Sequence, residues 1–67
     1  MQLSKNIIVD GKNVPVIENH YNDGSITELN TVTGKVTVLY VASTTTGKVI
    51  KSLYAQEYAE YERMFLN

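Results

Sequence analysis

Each glycine in this chain lies in a short polar segment between runs rich in Val, Ile, Thr and Tyr, and this spacing constrains the fold more than any other feature. The residue before each glycine is Asp or Thr, and the four pairs are Asp10-Gly11, Asp23-Gly24, Thr33-Gly34 and Thr46-Gly47. Glycine adopts a positive φ without steric cost, and Asp or Thr suits the preceding position of a tight turn. The pattern therefore predicts a chain that folds back on itself four times.

The runs between these turns predict up to five antiparallel strands, with bounds at residues 3–9, 13–21, 25–32, 35–43 and 48–51. The fourth run carries apolar residues on both of its alternating faces, which predicts an interior strand covered on both sides. Pro15 cannot donate a ladder hydrogen bond, so the second strand should be an edge or a bulge at that point. Residues 31–36 resemble residues 44–49 in sequence, which predicts the same glycine-containing hairpin twice.

After Ser52 the residue pattern changes, and the sequence predicts a C-terminal helix over residues 53–66. This segment contains no Gly, Pro or β-branched residue, and Ser52 is a suitable N-cap. Such a helix is roughly 21 Å long and can cross a strand of about six or seven residues from end to end. We therefore predict an α+β fold, an antiparallel four- to five-stranded β-meander with one C-terminal α-helix packed on the sheet. A small SH3-like barrel with the helix outside is the alternative.

The size and composition of the chain limit what it can do. Its 67 residues predict a single domain, residues 1–67, with a small core that oligomerisation would help to complete. It has no cysteine and one histidine, so we predict no disulfide, no metal site and no cofactor. The formal net charge of −1 creates no attraction to nucleic acid or to anionic membranes. No apolar run approaches the length of a membrane span or a signal peptide, so we expect a cytoplasmic protein.

The predicted helix carries an aromatic stripe at positions i, i+4, i+7 and i+11, formed by Tyr54, Tyr58, Tyr61 and Phe65. The simplest interpretation of the stripe is the face that covers the sheet. Further apolar residues flank it, however, and the resulting surface is wider than one sheet can cover. Tyrosine is also common at protein interfaces. The sequence therefore predicts that the helix binds another protein or a second copy of the chain. The predicted partner-binding residues are Tyr54, Glu57, Tyr58, Tyr61, Met64 and Phe65.

Catalysis and nucleic-acid binding have less support in the sequence. Lys35 and Lys48 follow glycines, but neither segment has the spacing of a phosphate-binding P-loop. Glu18 and His20 share a strand face, yet a chain this small leaves little room for a substrate pocket. We predict a non-enzymatic protein–protein interaction module, a small regulator or inhibitor of a larger partner. A single-stranded nucleic-acid-binding module that uses the sheet, and a structural subunit of a homo-oligomer, are the alternatives.

Overall fold

The chain forms a four-stranded antiparallel sheet followed by two short helices. The computed structural model describes the backbone of residues 1–66 and the side chains of residues 1–64. The elements are β1 (Gln2–Val9), β2 (Lys12–His20), β3 (Ile26–Asn30), β4 (Val36–Tyr40), α1 (Thr44–Leu53), α2 (Ala55–Tyr61) and a π-helical turn (Glu62–Leu66). The strands lie in the order β1-β2-β3-β4. The predicted α+β fold is confirmed. The barrel alternative is wrong, because the sheet is open and ends at β1 and β4.

The first three turns form where the glycine pattern predicts them. Asp10 and Gly11 both have positive φ, 51° and 76°, as a two-residue type I′ hairpin requires. Gly24 and Gly34 have φ values of 94° and 78°. The Oδ1 atom of Asp23 accepts a hydrogen bond from the backbone N–H of Ser25 at 2.9 Å, which closes the second turn.

Pro15 lies in β2, next to the point where the neighbouring strand β3 ends. It faces Asn6 in β1, but β2 pairs with β3 only from Val16 onward, where Val16 faces Asn30. The carbonyl oxygen of Pro15 accepts hydrogen bonds from the N–H and the hydroxyl of Thr31. The N–H that Pro15 lacks would have faced Thr31, so its absence falls at the end of the β2–β3 ladder, beyond the last paired residues.

The predicted fourth turn and fifth strand, residues 48–51, are wrong: this segment belongs to α1. Ser43 is the N-cap of α1, and its side chain accepts a hydrogen bond from the N–H of Thr46. Gly47 does not have a positive φ. A Cβ atom at Gly47 would lie 3.3 Å from the hydroxyl of Tyr58 and 3.3 Å from Cγ1 of Val41. This glycine therefore permits a close helix contact and does not form a turn.

The single helix predicted over residues 53–66 is also wrong in its bounds. Helical structure begins at Thr44 and is interrupted at Tyr54, which has φ −134° and ψ 53°. The N–H of Tyr54 still donates to the carbonyl of Ile50, so the chain bends without losing that bond. The bend allows Ile50 of α1 and Tyr58 of α2 to reach the same core.

The strand predicted as interior, residues 35–43, is the edge strand β4 and ends at Tyr40. Val36 and Val38 are buried on the face that carries the helices, whereas Leu39 is 44% exposed. The second set of apolar side chains therefore lies at the surface, with no layer of the fold above it. A register shift between Ile26 and Thr27 of β3 accompanies the early end of the ladder.

The main core lies between β4 and the two helices. Its buried members are Val38, Ile50 and Tyr58, one from each of these three elements. Four partly buried residues pack around them: Tyr21, Val41, Tyr54 and Tyr61. Strand β1 and the adjoining half of β2 lie outside this core, and most of the side chains of β1 are exposed.

Candidate binding groove

A groove runs along the outer edge of β4, between this strand and α2. Its volume is about 300 Å³. Nine residues line it: Lys35, Val36, Thr37, Val38, Leu39, Glu57, Glu60, Tyr61 and Met64. Five of them are consecutive in β4 and its approach, although alternate side chains of a strand point to opposite faces. The groove therefore follows the backbone edge of β4 and not one face of the sheet.

The backbone hydrogen bonds establish which groups of β4 face this groove. The N–H of Asn30 donates to the carbonyl of Lys35, and the next pair facing β3 joins Glu28 to Thr37. In an antiparallel strand the inward and outward backbone groups alternate along the chain. The N–H and C=O groups of Val36 and Val38 therefore point away from β3, and they are covered, because the two residues are only 6% and 2% exposed.

The groove has an apolar floor and apolar sides. Val36 and Val38 bury their side chains beneath the helices. Leu39 lies on one side of the groove, and Met64, which is 68% exposed, lies on the other. The Tyr61 ring is partly buried and packs against Tyr58, with the ring centroids 6.0 Å apart at an angle of 41°. Exposed apolar groups that line a groove are a feature of binding surfaces.

The charged groups of the groove are unevenly matched. The ammonium of Lys35 lies 3.4 Å from Oε2 of Glu60. Glu57 is half-buried beside this pair and has no ion pair or hydrogen bond from its side chain within residues 1–64. The groove therefore carries an excess of one negative charge, located at Glu57.

The structure divides the six predicted partner-binding residues among different environments. Glu57, Tyr61 and Met64 line the groove together. Tyr58 belongs to the core, where it is 8% exposed, and it does not line the groove. Tyr54 occupies the bend between the helices and packs on the core. The prediction for Phe65 lies outside the described side chains.

Six groove residues were missed by the sequence analysis: Glu60 of α2 and the five consecutive residues 35–39 in and next to β4. Residues 35–39 were assigned to an interior strand, and Lys35 was considered for a phosphate-binding motif but not as a partner-binding residue. Their signal in the sequence is the same two-faced apolar pattern that predicted an interior strand. A strand of this pattern at a sheet edge exposes apolar side chains beside unpaired backbone groups, which is the alternative meaning of the pattern.

A second polar cluster lies on the face of the sheet opposite the helices. Lys5 and His20 both contact the carboxylate of Glu18, and the His20 Nε2 atom lies 2.6 Å from Oε1 of Glu18. The hydrogen bonds from Lys5 and His20 lower the pKa of Glu18, and the bond to Glu18 raises the pKa of Lys5. These contacts satisfy one another and join β1 to β2. Among the described residues, no group of three or more His, Cys, Asp or Glu side chains is arranged to hold a metal ion.

Comparison of the chain with protein-family models, with curated proteins and with solved structures finds no match. Within the described part of the chain, neither helix has the length and apolar character needed to cross a membrane. The groove geometry is therefore the basis for a functional assignment.

Proposed function

We propose that this protein is a non-enzymatic interaction module that binds a polypeptide partner in the groove between β4 and α2. One observation carries the proposal: a groove of about 300 Å³ between β4 and α2 is lined by the exposed apolar side chains of Leu39 and Met64. Three residues that the sequence predicted to bind a partner, Glu57, Tyr61 and Met64, line this groove. Occupying it would regulate the partner by covering the bound segment.

The charges on the sheet favour a polypeptide over a nucleic acid as the partner. By strand register, Lys5, Glu18 and Glu28 share the face opposite the helices. Lys12 lies on the same face, so two lysines are balanced by two glutamates and do not form the positive surface that a phosphate backbone requires. We therefore place the binding function in the groove and not on the open face of the sheet.

The proposal can be tested by comparing two variants that remove similar exposed apolar side chains. Met64 lines the groove and is 68% exposed, whereas Leu53 lies outside it and is 65% exposed. We expect immobilised wild-type protein and Leu53→Ala to retain the same partner from a lysate of the source cells. Met64→Ala should retain at least about fivefold less, because contacts at the centre of an interface dominate its affinity.

Circular dichroism of both variants controls for folding. If no retained protein distinguishes Met64→Ala from Leu53→Ala, the groove does not bind a partner and the proposal fails.

A further inference from the structure

We infer that a second cavity, between α1 and α2, binds a small organic anion, namely a carboxylate or phosphate group on a compact apolar body. The cavity has a volume of about 410 Å³, which is in the size range of small-molecule sites. Within the described part of the chain, it shares no lining residue with the groove. The inference is therefore independent of the proposed function. It rests on a hydroxyl group, two lysines and an apolar floor.

The hydroxyl of Tyr58 lacks a partner in the fold. The residue is 8% exposed, and its hydroxyl has no hydrogen bond within residues 1–64. It lies against Gly47, where it would be 3.3 Å from an added Cβ, and both residues line the cavity. Among the described residues, the sealed polar side-chain atom without a partner is the hydroxyl of Thr27, so the Tyr58 hydroxyl is open to the cavity. It is therefore available to donate a hydrogen bond to a ligand oxygen.

Two lysines give the cavity a positive rim. Gly47, Lys48 and Lys51 line it together, and their spacing places them on one side of α1. The side chain of Lys48 has no ion pair or hydrogen bond within residues 1–64. The ammonium of Lys51 lies 5.9 Å from the centroid of the Tyr58 ring, so it is held over the ring that carries the free hydroxyl. A donor and two cations therefore face the same space.

The acidic groups around the cavity do not cancel this charge. Glu62 lines the cavity, but its Oε2 atom lies 3.9 Å from the Lys51 ammonium, which is longer than a hydrogen bond. Asp23 does not line the cavity, and its carboxylate already accepts hydrogen bonds from the hydroxyl groups of Ser43 and Thr46. The lining side chains therefore carry two positive charges and one negative charge, and Lys48 provides the excess.

The floor of the cavity favours an apolar body on the ligand. Val41, Ala42 and Gly47 line it with small apolar surfaces next to the ring of Tyr58. An inorganic anion would contact the lysines and the hydroxyl but leave these surfaces in water. A compact organic anion covers both parts, in keeping with small-molecule sites, where apolar walls surround a few polar groups that fix the orientation.

The first experiment titrates the full-length chain with four probes: phenyl phosphate, benzoate, inorganic phosphate and benzylamine. Heteronuclear NMR spectroscopy follows the backbone amides. We expect phenyl phosphate and benzoate to shift the amides of Gly47 and Lys48 but not those of Leu39 and Glu57 in the groove. Inorganic phosphate should bind at least about tenfold more weakly than phenyl phosphate, because it lacks the apolar body. Benzylamine carries the opposite charge and should not bind. Whichever aromatic anion binds more tightly identifies the preferred acidic group.

Three results of this titration would overturn the inference. Benzylamine that binds as tightly as benzoate would show an apolar cavity without preference for an anion. Shifts at Leu39 and Glu57 in place of Gly47 would locate the anion in the groove. No shift with either aromatic anion at millimolar concentration would show that the cavity binds neither. The last result would leave the proposed binding of a polypeptide in the groove untouched.

The second experiment removes the hydroxyl group. Tyr58→Phe should weaken binding of the preferred aromatic anion at least about tenfold, because a hydrogen bond to a charged group is lost. Tyr40→Phe is the matched control, since it makes the same change at a residue that is 53% exposed and outside the cavity. Circular dichroism of both variants controls for folding. Equal affinities of the two variants would overturn the assignment of the Tyr58 hydroxyl as a ligand donor.

The third experiment changes the charge of the cavity in both directions. Lys48→Gln should weaken binding of the same anion by about fivefold, as expected for one partly exposed ion pair. Lys12→Gln makes the same change outside the cavity and should have little effect. Glu62→Gln should strengthen binding, because it removes the negative charge of the cavity. Equal losses in Lys48→Gln and Lys12→Gln would show a general charge effect and overturn the anion site.

Discussion

Asp23 joins the second turn of the sheet to the start of α1. Its carboxylate accepts hydrogen bonds from the hydroxyl groups of Thr46 and Ser43 and from the N–H of Ser25. Ser43 is the N-cap of the helix, so the aspartate also places a negative charge near the positive end of the helix dipole. The hydrogen bond from Thr46, followed by those from Ser25 and Ser43, holds the pKa of Asp23 well below its usual range.

This lowered pKa predicts a specific pH dependence of stability. A carboxyl group whose pKa is lower in the folded state stabilises the fold above its unfolded pKa of about 4, and this contribution is lost as the pH falls through the folded pKa. We expect Asp23→Asn to be less stable than wild type at about pH 7, with a smaller difference at about pH 3. Urea denaturation at both pH values measures the difference in unfolding free energy between the variant and wild type. A difference between Asp23→Asn and wild type that stays constant between the two pH values would contradict the prediction.

Gly34 and Gly47 occupy nearly the same local sequence but should respond differently to alanine. Gly34 has a φ of 78°, so Gly34→Ala should destabilise the fold by about 1 kcal/mol. Gly47→Ala gains up to about 1 kcal/mol of helix propensity, which offsets displacement of the Tyr58 hydroxyl 3.3 Å from the new Cβ. We therefore expect a smaller loss of unfolding free energy at Gly47, measured by urea denaturation. A larger loss at Gly47 would mean that Tyr58 cannot move aside.

At the scale of the element, β4 has a buried inner face and an exposed outer face. Val38 is 2% exposed and Leu39 is 44% exposed. Val38→Ala should therefore lower the unfolding free energy by about 1–3 kcal/mol, whereas Leu39→Ala should lower it by less than about 1 kcal/mol. Chemical denaturation of the two variants provides the comparison. An interior strand would reverse this order or make the two losses equal, so either result would refute the edge position.

At the scale of the whole molecule, one core holds the sheet and both helices together. Val38, Ile50 and Tyr58 each come from a different element, and Tyr58 contacts the region of Gly47 as well. Detaching any one of these elements from the core would therefore expose the buried side chains of the other two. This arrangement predicts that the sheet and the helices unfold in one transition.

We expect thermal unfolding followed by far-ultraviolet circular dichroism and by tyrosine fluorescence to give the same midpoint. Tyr58→Ala should lower the unfolding free energy by about 3–5 kcal/mol, because it removes a large buried side chain. Tyr58→Phe retains the ring and should lower the unfolding free energy by much less. Separate midpoints for the two probes in the wild-type protein would show that α2 melts independently of the sheet.

Two nearly identical segments show where local sequence stops determining structure. Residues 31–36 and 44–49 differ only at Val32 and Thr45. In the first, the Asn30 side chain accepts hydrogen bonds from the N–H groups of Val32 and Thr33, and the segment forms a turn. The second follows the N-cap Ser43 and begins α1. Only this second segment receives the carboxylate of Asp23 from elsewhere in the chain and packs its glycine against Tyr58.

The sequence alone determined the α+β class and the three hairpin turns at Gly11, Gly24 and Gly34. These features depend on local backbone preference and on hydrophobic pattern, which neighbouring residues carry. Tertiary contacts decided the conversion of residues 48–51 to helix, the edge position of β4 and the burial of Tyr58. Each of these depends on which distant side chains fill the shared core, so the same local pattern is compatible with a hairpin or a helix and with an interior or an edge strand. The groove was likewise decided by tertiary structure, because it lies between β4 and α2, the helix that follows the bend at Tyr54.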